Sequence, residues 1–276
     1  MKYKMIVSDL DGTLLNDKKE IDDNTIYILN ELHKKGIEIV IATGRNYYMA
    51  KKLIEPIHNL NPVILSNNGS VVRQSHDDKV LSYNYLQPSF FEKIYNEGVK
   101  RNLNPFIHVD EYDNGYDLIY EKEEFEKEYS GYIKKDYDRA RLIKFDPLNT
   151  DKILSVCYFD EYTKLRDFGT EMTNPGYYNT IFNRNLGNLA LLEFLHREGC
   201  KWSSLKSYAK HKGILPKDII ALGDDNNDLE MLKNAGMGIA MINGTEEIKK
   251  TAKIISKYDN NNSGVYHELK ELFELK

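Results

Sequence analysis

The feature that most constrains this chain is a set of short apolar runs at its two ends: Met5-Ile6-Val7-Ser8, Ile37 to Ala42, Val63-Ile64-Leu65 and Ile219-Ile220-Ala221-Leu222. Runs of this length and aliphatic content suit strands buried on both faces. Helical patterns separate them. Asp22 and Asp23 precede Ile26, Leu29 and Leu32, and Gly36 follows, which reads as a capped amphipathic helix with a glycine stop. A second helical stretch runs to about Pro56. Strands alternating with helices predict an α/β fold with a doubly wound parallel sheet.

The alternation resumes near the C-terminus. Ser203 to Lys212, Asn227 to Ala235, Glu246 to Ala252 and Val265 to Leu275 read as helices, with strands at Gly238 to Met241 and Ile254-Ile255. The middle is different. Residues 84–184 are rich in tyrosine and charge, with strand-like runs at Ile153 to Val156 and Tyr158-Phe159 and a helix-like run at Phe90 to Lys100. The expected organisation is therefore a core domain in two parts, 1–83 and 185–276, with an α+β domain, 84–184, inserted between them. A length of 276 residues fits two domains better than one. Asn260-Asn261-Asn262 is expected to be a loop.

A hydrophobic fraction of 41% allows a real core, and 29% charged residues keep the surface polar. The net charge of −5 argues against nucleic acid or an anionic membrane as partner, since both call for a basic surface. Cys157 and Cys200 lie far apart and in no metal-ligand spacing, so a disulfide scaffold and a zinc site are not expected. No apolar stretch suits a signal segment or a membrane span, and the expected location is the cytoplasm.

The chemistry concentrates where strands end. Asp9-Leu10-Asp11-Gly12-Thr13 places two carboxylates at the C-terminal end of the first strand, the edge at which open α/β sheets bind ligands. One carboxylate can attack phosphorus while the other serves as acid and base. Ala42-Thr43-Gly44-Arg45 follows the second strand. A hydroxyl and a glycine amide there can hold phosphate oxygens, although a threonine capping the next helix gives the same pattern. Gly223-Asp224-Asp225-Asn226-Asn227-Asp228 supplies a carboxylate cluster suited to an oxygen-coordinated Mg²⁺. It is not an EF-hand loop, because Leu229 stands at the glycine position and Ala235 at that of the bidentate glutamate. A helix N-cap with surplus acid is the plainer alternative.

These pieces, with Lys201 before the expected Ser203 helix, resemble the haloacid dehalogenase superfamily in its branch of Cof-type phosphatases with a type C2 cap. Asp9 to Thr13 matches the first motif, Thr43 the second, Lys201 the third, and Gly223-Asp224 with Asn227-Asp228 the fourth. Asn68-Gly69 and Gly238 to Met241 also fit the branch. The likeness is specific at both ends of the chain and weak in the middle. The long gap between Asn68 and Lys201 places the cap at the second of the family's two insertion points. Trp202 departs from the pattern, standing where the family usually has glycine, and is expected either to alter the local turn or to line the pocket.

The resemblance implies a Mg²⁺-dependent phosphatase acting on a small-molecule phosphate ester, a sugar phosphate or a phosphorylated cofactor, through an aspartyl-phosphate intermediate. Asp9 would be the nucleophile and Asp11 the acid and base. Leu10 (through its amide), Thr43, Gly44, Lys201 and Asn227 would hold the phosphoryl group. Asp9, Asp11 (through its carbonyl), Asp224 and Asp228 would hold the metal. The inserted domain would close over the site. A phosphotransferase of the phosphomannomutase type uses the same paired aspartates and stays open as an alternative. A receiver-type signalling domain or a non-catalytic phospho-ligand-binding module is a more distant one. No Walker A loop, Gly-x-Ser-x-Gly elbow, dinucleotide fingerprint or His-Glu-x-x-His run is present.

Overall fold

The structure, a computed structural model, describes residues 2–122, 138–145, 151–182 and 189–275. It divides into two compact units, Met1–Tyr83 with Cys200–Lys276, and Asn84–Gly199.

The first unit is built on an eight-stranded sheet. Its strands are β1 (Met5–Ser8), β2 (Glu38–Ala42), β3 (Val63–Ser66), β4 (Val71–Gln74), β5 (Val80–Tyr83), β12 (Ile219–Gly223), β13 (Met237–Ala240) and β14 (Ile254–Ile255), in the order β14-β13-β12-β1-β2-β3-β4-β5. Six of these run parallel, and β4 and β5 add antiparallel at one edge. β1 pairs with β2 on one side and β12 on the other, so Ser8 lies level with Ile41 and with Leu222. The three motif loops that follow those strands therefore open at one edge of the sheet. The chain turns to opposite sides of β1, which makes this edge the switch point of the topology.

Helix α1 (Asp23–Lys34) begins at Asp22, whose carboxylate accepts the Thr25 N–H, and buries Thr25, Ile28, Leu29 and Leu32. The other helices of this unit are α2 (Tyr47–Leu53), α5 (Lys201–His211), α6 (Leu229–Asn234), α7 (Glu246–Thr251) and α8 (Gly264–Leu272). Met5, Val7, Val40, Val63, Leu205, Ile219, Met231 and Leu232 share one buried cluster, which ties the strands to α5 and α6. The hairpin β4–β5 is the part of this sheet that the sequence pattern did not separate from its surroundings.

The second unit has its own six-stranded sheet. Its strands are β6 (Phe106–Val109), β7 (Leu118–Tyr120), β8 (Ala140–Leu142), β9 (Ile153–Asp160), β10 (Tyr177–Phe182) and β11 (Ala190–His196), in the order β10-β11-β9-β6-β7-β8. Helices α3 (Pro88–Lys100) and α4 (Tyr162–Glu171) pack on it through Phe91, Ile94, Leu165 and Phe168, which meet Val156, Tyr158, Leu192 and Phe194 of the strands. The two runs expected at 153–156 and 158–159 form one continuous strand, β9. The expected boundary at 184–185 lies outside the described residues. The division falls after Gly199, because β11 pairs with β9 and β10 inside the second sheet. Among the described residues no helix is long and apolar enough to cross a membrane.

Candidate active site

Asp9 stands one residue past β1 and is buried. Its carboxylate accepts a hydrogen bond from Lys201 Nζ at 2.6 Å, and the same ammonium donates to Asp228 at 2.7 Å. Lys201 is the first residue of α5, with Cys200 as N-cap. The helix thus starts two residues earlier than its apolar pattern suggested, because the Cys200 sulfur accepts the Ser203 N–H and opens the turn. Burial opposes the Lys201 charge, but Asp228 and Asp9 outweigh it and raise its pKa. Trp202 packs against the apolar cluster of the sheet.

Asp224 follows β12, and its carboxylate accepts the Thr13 hydroxyl at 2.9 Å. Asp228 is completely buried, and its second oxygen accepts the backbone N–H groups of Asp224 and Asp225. Asp9, Asp224 and Asp228 each bring an oxygen within 4.8 Å of the others. Burial, followed by the Asp228 charge, pushes Asp224 up to about 7. Burial also pushes Asp9 well above the usual carboxylate range, with Lys201 opposing and Asp228 and Asp224 reinforcing it. Three carboxylates face one lysine cation, which bonds Asp9 and Asp228 but not Asp224, and this oxygen donor set fits a small divalent cation such as Mg²⁺. Gly12 is required beside it: its φ is +81°, and a Cβ there would lie 2.4 Å from an Asp224 carboxylate oxygen.

Asp11 is held elsewhere. Arg45 grips both of its oxygens, with Nε at 2.6 Å and an Nη at 2.7 Å, and Lys19 Nζ donates at 2.6 Å. Partial burial works against the charge, but Arg45 and Lys19 keep the Asp11 carboxyl below its ordinary range. Lys19 stands in a tight turn in which Asn16 accepts from the N–H groups of Lys18 and Glu20. Asn260 and Asn261 brace this turn from across the fold, Asn260 through Leu15 O and Asp17, Asn261 through the Asp17 N–H. The Asn260–Asn262 run is a short 3₁₀ turn with that bracing role.

Thr43 is buried, and its hydroxyl accepts the Arg45 N–H, so it organises its own loop; the cap of α2 is Asn46. Gly44 is exposed. Asn227 donates its amide to Asn68 at 3.0 Å. Leu10 is fully buried. The predicted residues thus form a direct cluster of Asp9, Lys201, Asp224 and Asp228, an Asp11 group fixed by two cations, and a rim of Thr43, Gly44 and Asn227. Arg45 had no expected role, although it closes the Ala42-Thr43-Gly44-Arg45 motif. Thr13 closes the Asp9 to Thr13 motif but had no expected role of its own; Lys19 and Asn260 were missed as partners of the site, and they carry no signal beyond being polar residues in turns.

Comparison with known proteins identifies the family of the chain. The family described as haloacid dehalogenase-like hydrolase matches residues 6–269. The chain belongs to that family. It is thus a hydrolase, and its fold is that of solved members. A haloacid dehalogenase-like hydrolase from Bacteroides thetaiotaomicron is 27% identical, superposes with a TM-score of 0.80, and is matched over 99% of this chain and 100% of its own. Phosphatase YwpJ of Bacillus subtilis is 29% identical over 98% of this chain and 99% of its own. The 5-amino-6-(5-phospho-D-ribitylamino)uracil phosphatase YitU of the same organism is 27% identical over 99% of both.

Proposed function

We propose that this hydrolase cleaves a small-molecule phosphomonoester with Asp9 as nucleophile. The observation that carries the reading is the buried Asp9–Lys201–Asp228 bridge beside Asp224, at the strand edge where the loops of β1, β2 and β12 meet. An oxygen of Asp9 bonds to phosphorus as the ester oxygen leaves. Asp11 gives that oxygen its proton, and then takes one from the water that hydrolyses phospho-Asp9. The carboxylates of Asp9 and Asp224 and the carbonyl of Asp11, with Asp228 as a further partner, would hold Mg²⁺, which would supply the positive charge that lets a carboxylate approach a phosphate. Lys201, Thr43, Gly44, Asn227 and the Leu10 amide hold the phosphoryl oxygens.

Arg45 and Lys19 keep Asp11 ionised in the free protein, which suits its role as base. Its role as acid requires a proton, which Asp11 takes from solvent once these cations loosen their hold, and an arriving phosphate dianion competes for both. The 84–199 unit would supply the residues that select the leaving group. The relative named for a phosphorylated ribitylaminouracil supports a sugar phosphate or phosphorylated cofactor as the substrate class here.

The test is a panel of phosphomonoesters with purified protein and Mg²⁺. The expected result is free phosphate from small metabolites, lost on chelation with EDTA. An isomeric sugar phosphate in place of free phosphate would identify a mutase. Turnover that survives full chelation would overturn the metal assignment.

A further inference from the structure

Asn67, Asn68 and Gly69, the turn after β3, all have positive φ, of 48°, 57° and 96°. Left-handed backbone is sparsely populated by residues other than glycine, and three in succession persist only where their surroundings fix them. The fixing contacts reach other catalytic loops. The Asn67 N–H donates to Arg45 O at 2.8 Å and the Asn68 N–H to Thr43 O at 2.9 Å, so the two bonds straddle Gly44. On the other side, Ser204 of α5 donates its hydroxyl to Gly69 O at 2.6 Å. A Cβ on Gly69 would lie 2.8 Å from Cys200 O, next to Lys201.

The buried side chain of Asn68 completes the bridge. Its Oδ1 accepts the Asn227 amide at 3.0 Å and lies 3.3 Å from the place a Gly44 Cβ would occupy. We infer that Asn68 is a positioning residue: its carboxamide orients Asn227 toward the phosphoryl group and fixes its distance from the Gly44 loop. One N–H of the Asn227 amide is spent on Asn68, which sets the orientation of the group and leaves its second N–H as the donor for a phosphoryl oxygen. The inference rests on the proposed role of Asn227.

The test uses Asn68→Gly, Asn227→Ala and the double variant, with p-nitrophenyl phosphate as substrate and inorganic phosphate as competitive inhibitor. Glycine keeps the left-handed backbone while removing the carboxamide. Phosphoryl oxygens are bound in ground and transition states alike, so KM and the phosphate inhibition constant should rise with kcat little changed. A rise of about three- to tenfold is expected for Asn68→Gly, since a hydrogen bond to a charged group is weakened, not removed. Asn227→Ala should have the larger effect, and the double variant should match it without adding to it. Asn68→Ser, too short to reach Asn227, should repeat the glycine result, and melting temperatures control for folding. Additive losses in the double variant overturn the proposal, as does an unchanged KM in Asn68→Gly and Asn68→Ser while Asn227→Ala raises it. If Asn227→Ala moves neither constant, the role of Asn227 has failed and the proposal falls with it.

Discussion

Replacing Asp224 with asparagine should stabilise the metal-free protein while abolishing its response to Mg²⁺. The Asp224 carboxyl lies at about 7 against an ordinary 3.8, chiefly through burial and then through Asp228. A group raised on folding binds its proton more tightly in the native state. Its stabilising contribution is therefore complete below about pH 4 and is lost as pH climbs to about 7. About three pH units at 1.36 kcal/mol each give a ceiling of about 4 kcal/mol withheld from the metal-free protein above neutrality. The asparagine carboxamide would carry no charge at any pH, and its carbonyl oxygen can still accept the Thr13 hydroxyl. We expect the variant to be about 1–4 kcal/mol more stable than wild type at pH 8 in EDTA, and to differ little at pH 4. Thermal or urea unfolding of both proteins from pH 4 to 8, with and without Mg²⁺, measures this. Wild type should gain from Mg²⁺ by mass action, about 2.7 kcal/mol at a hundredfold excess over Kd, and the variant should not. If Asp224→Asn is no more stable than wild type at pH 8 in EDTA, or if both show the same pH dependence, the carboxylate cluster does not store the repulsion assigned to it.

Three further outcomes follow from the site. Asp11→Asn should slow hydrolysis of an alkyl phosphate by roughly 10²–10⁴-fold, but with p-nitrophenyl phosphate it should release one burst of nitrophenolate and trap labelled phosphate on Asp9. Steady turnover without label, in a variant that binds Mg²⁺ normally, would refute the shared acid and base role. Lys201→Met removes the cation that bridges Asp9 and Asp228 and leaves buried charge unpaired, so it should abolish turnover and cost about 3–5 kcal/mol, read by denaturant unfolding in EDTA at pH 8. Gly12→Ala forces a methyl group against Asp224 in a left-handed turn, and titration of the variant with Mg²⁺ should show affinity lowered with the sheet intact.

The sequence by itself determined the class of the fold and the positions of the chemistry. Periodicity marked β1, β2, β3 and β12, because buried parallel strands must be short and apolar, and the residues just past them are where such sheets bind ligands. The paired aspartates, Thr43-Gly44 and the Asp224–Asp228 cluster were legible for that reason. Lys201 was legible only through family likeness, since one lysine has no local signature, and its helix began earlier than expected because a cysteine sulfur serves as the cap. The boundary near Gly199 was not legible, since β11 is assigned by pairing with β9 and not by its own composition. Tertiary structure alone decided who partners whom. Asp9 meets Lys201 across most of the chain, Asp11 faces Arg45 and Lys19 instead of the Asp9–Asp224–Asp228 cluster, and Asn68 reaches Asn227. Hydrogen bonds and ion pairs act over a few ångströms, so the order of strands in the sheet, not spacing along the chain, chooses these partners.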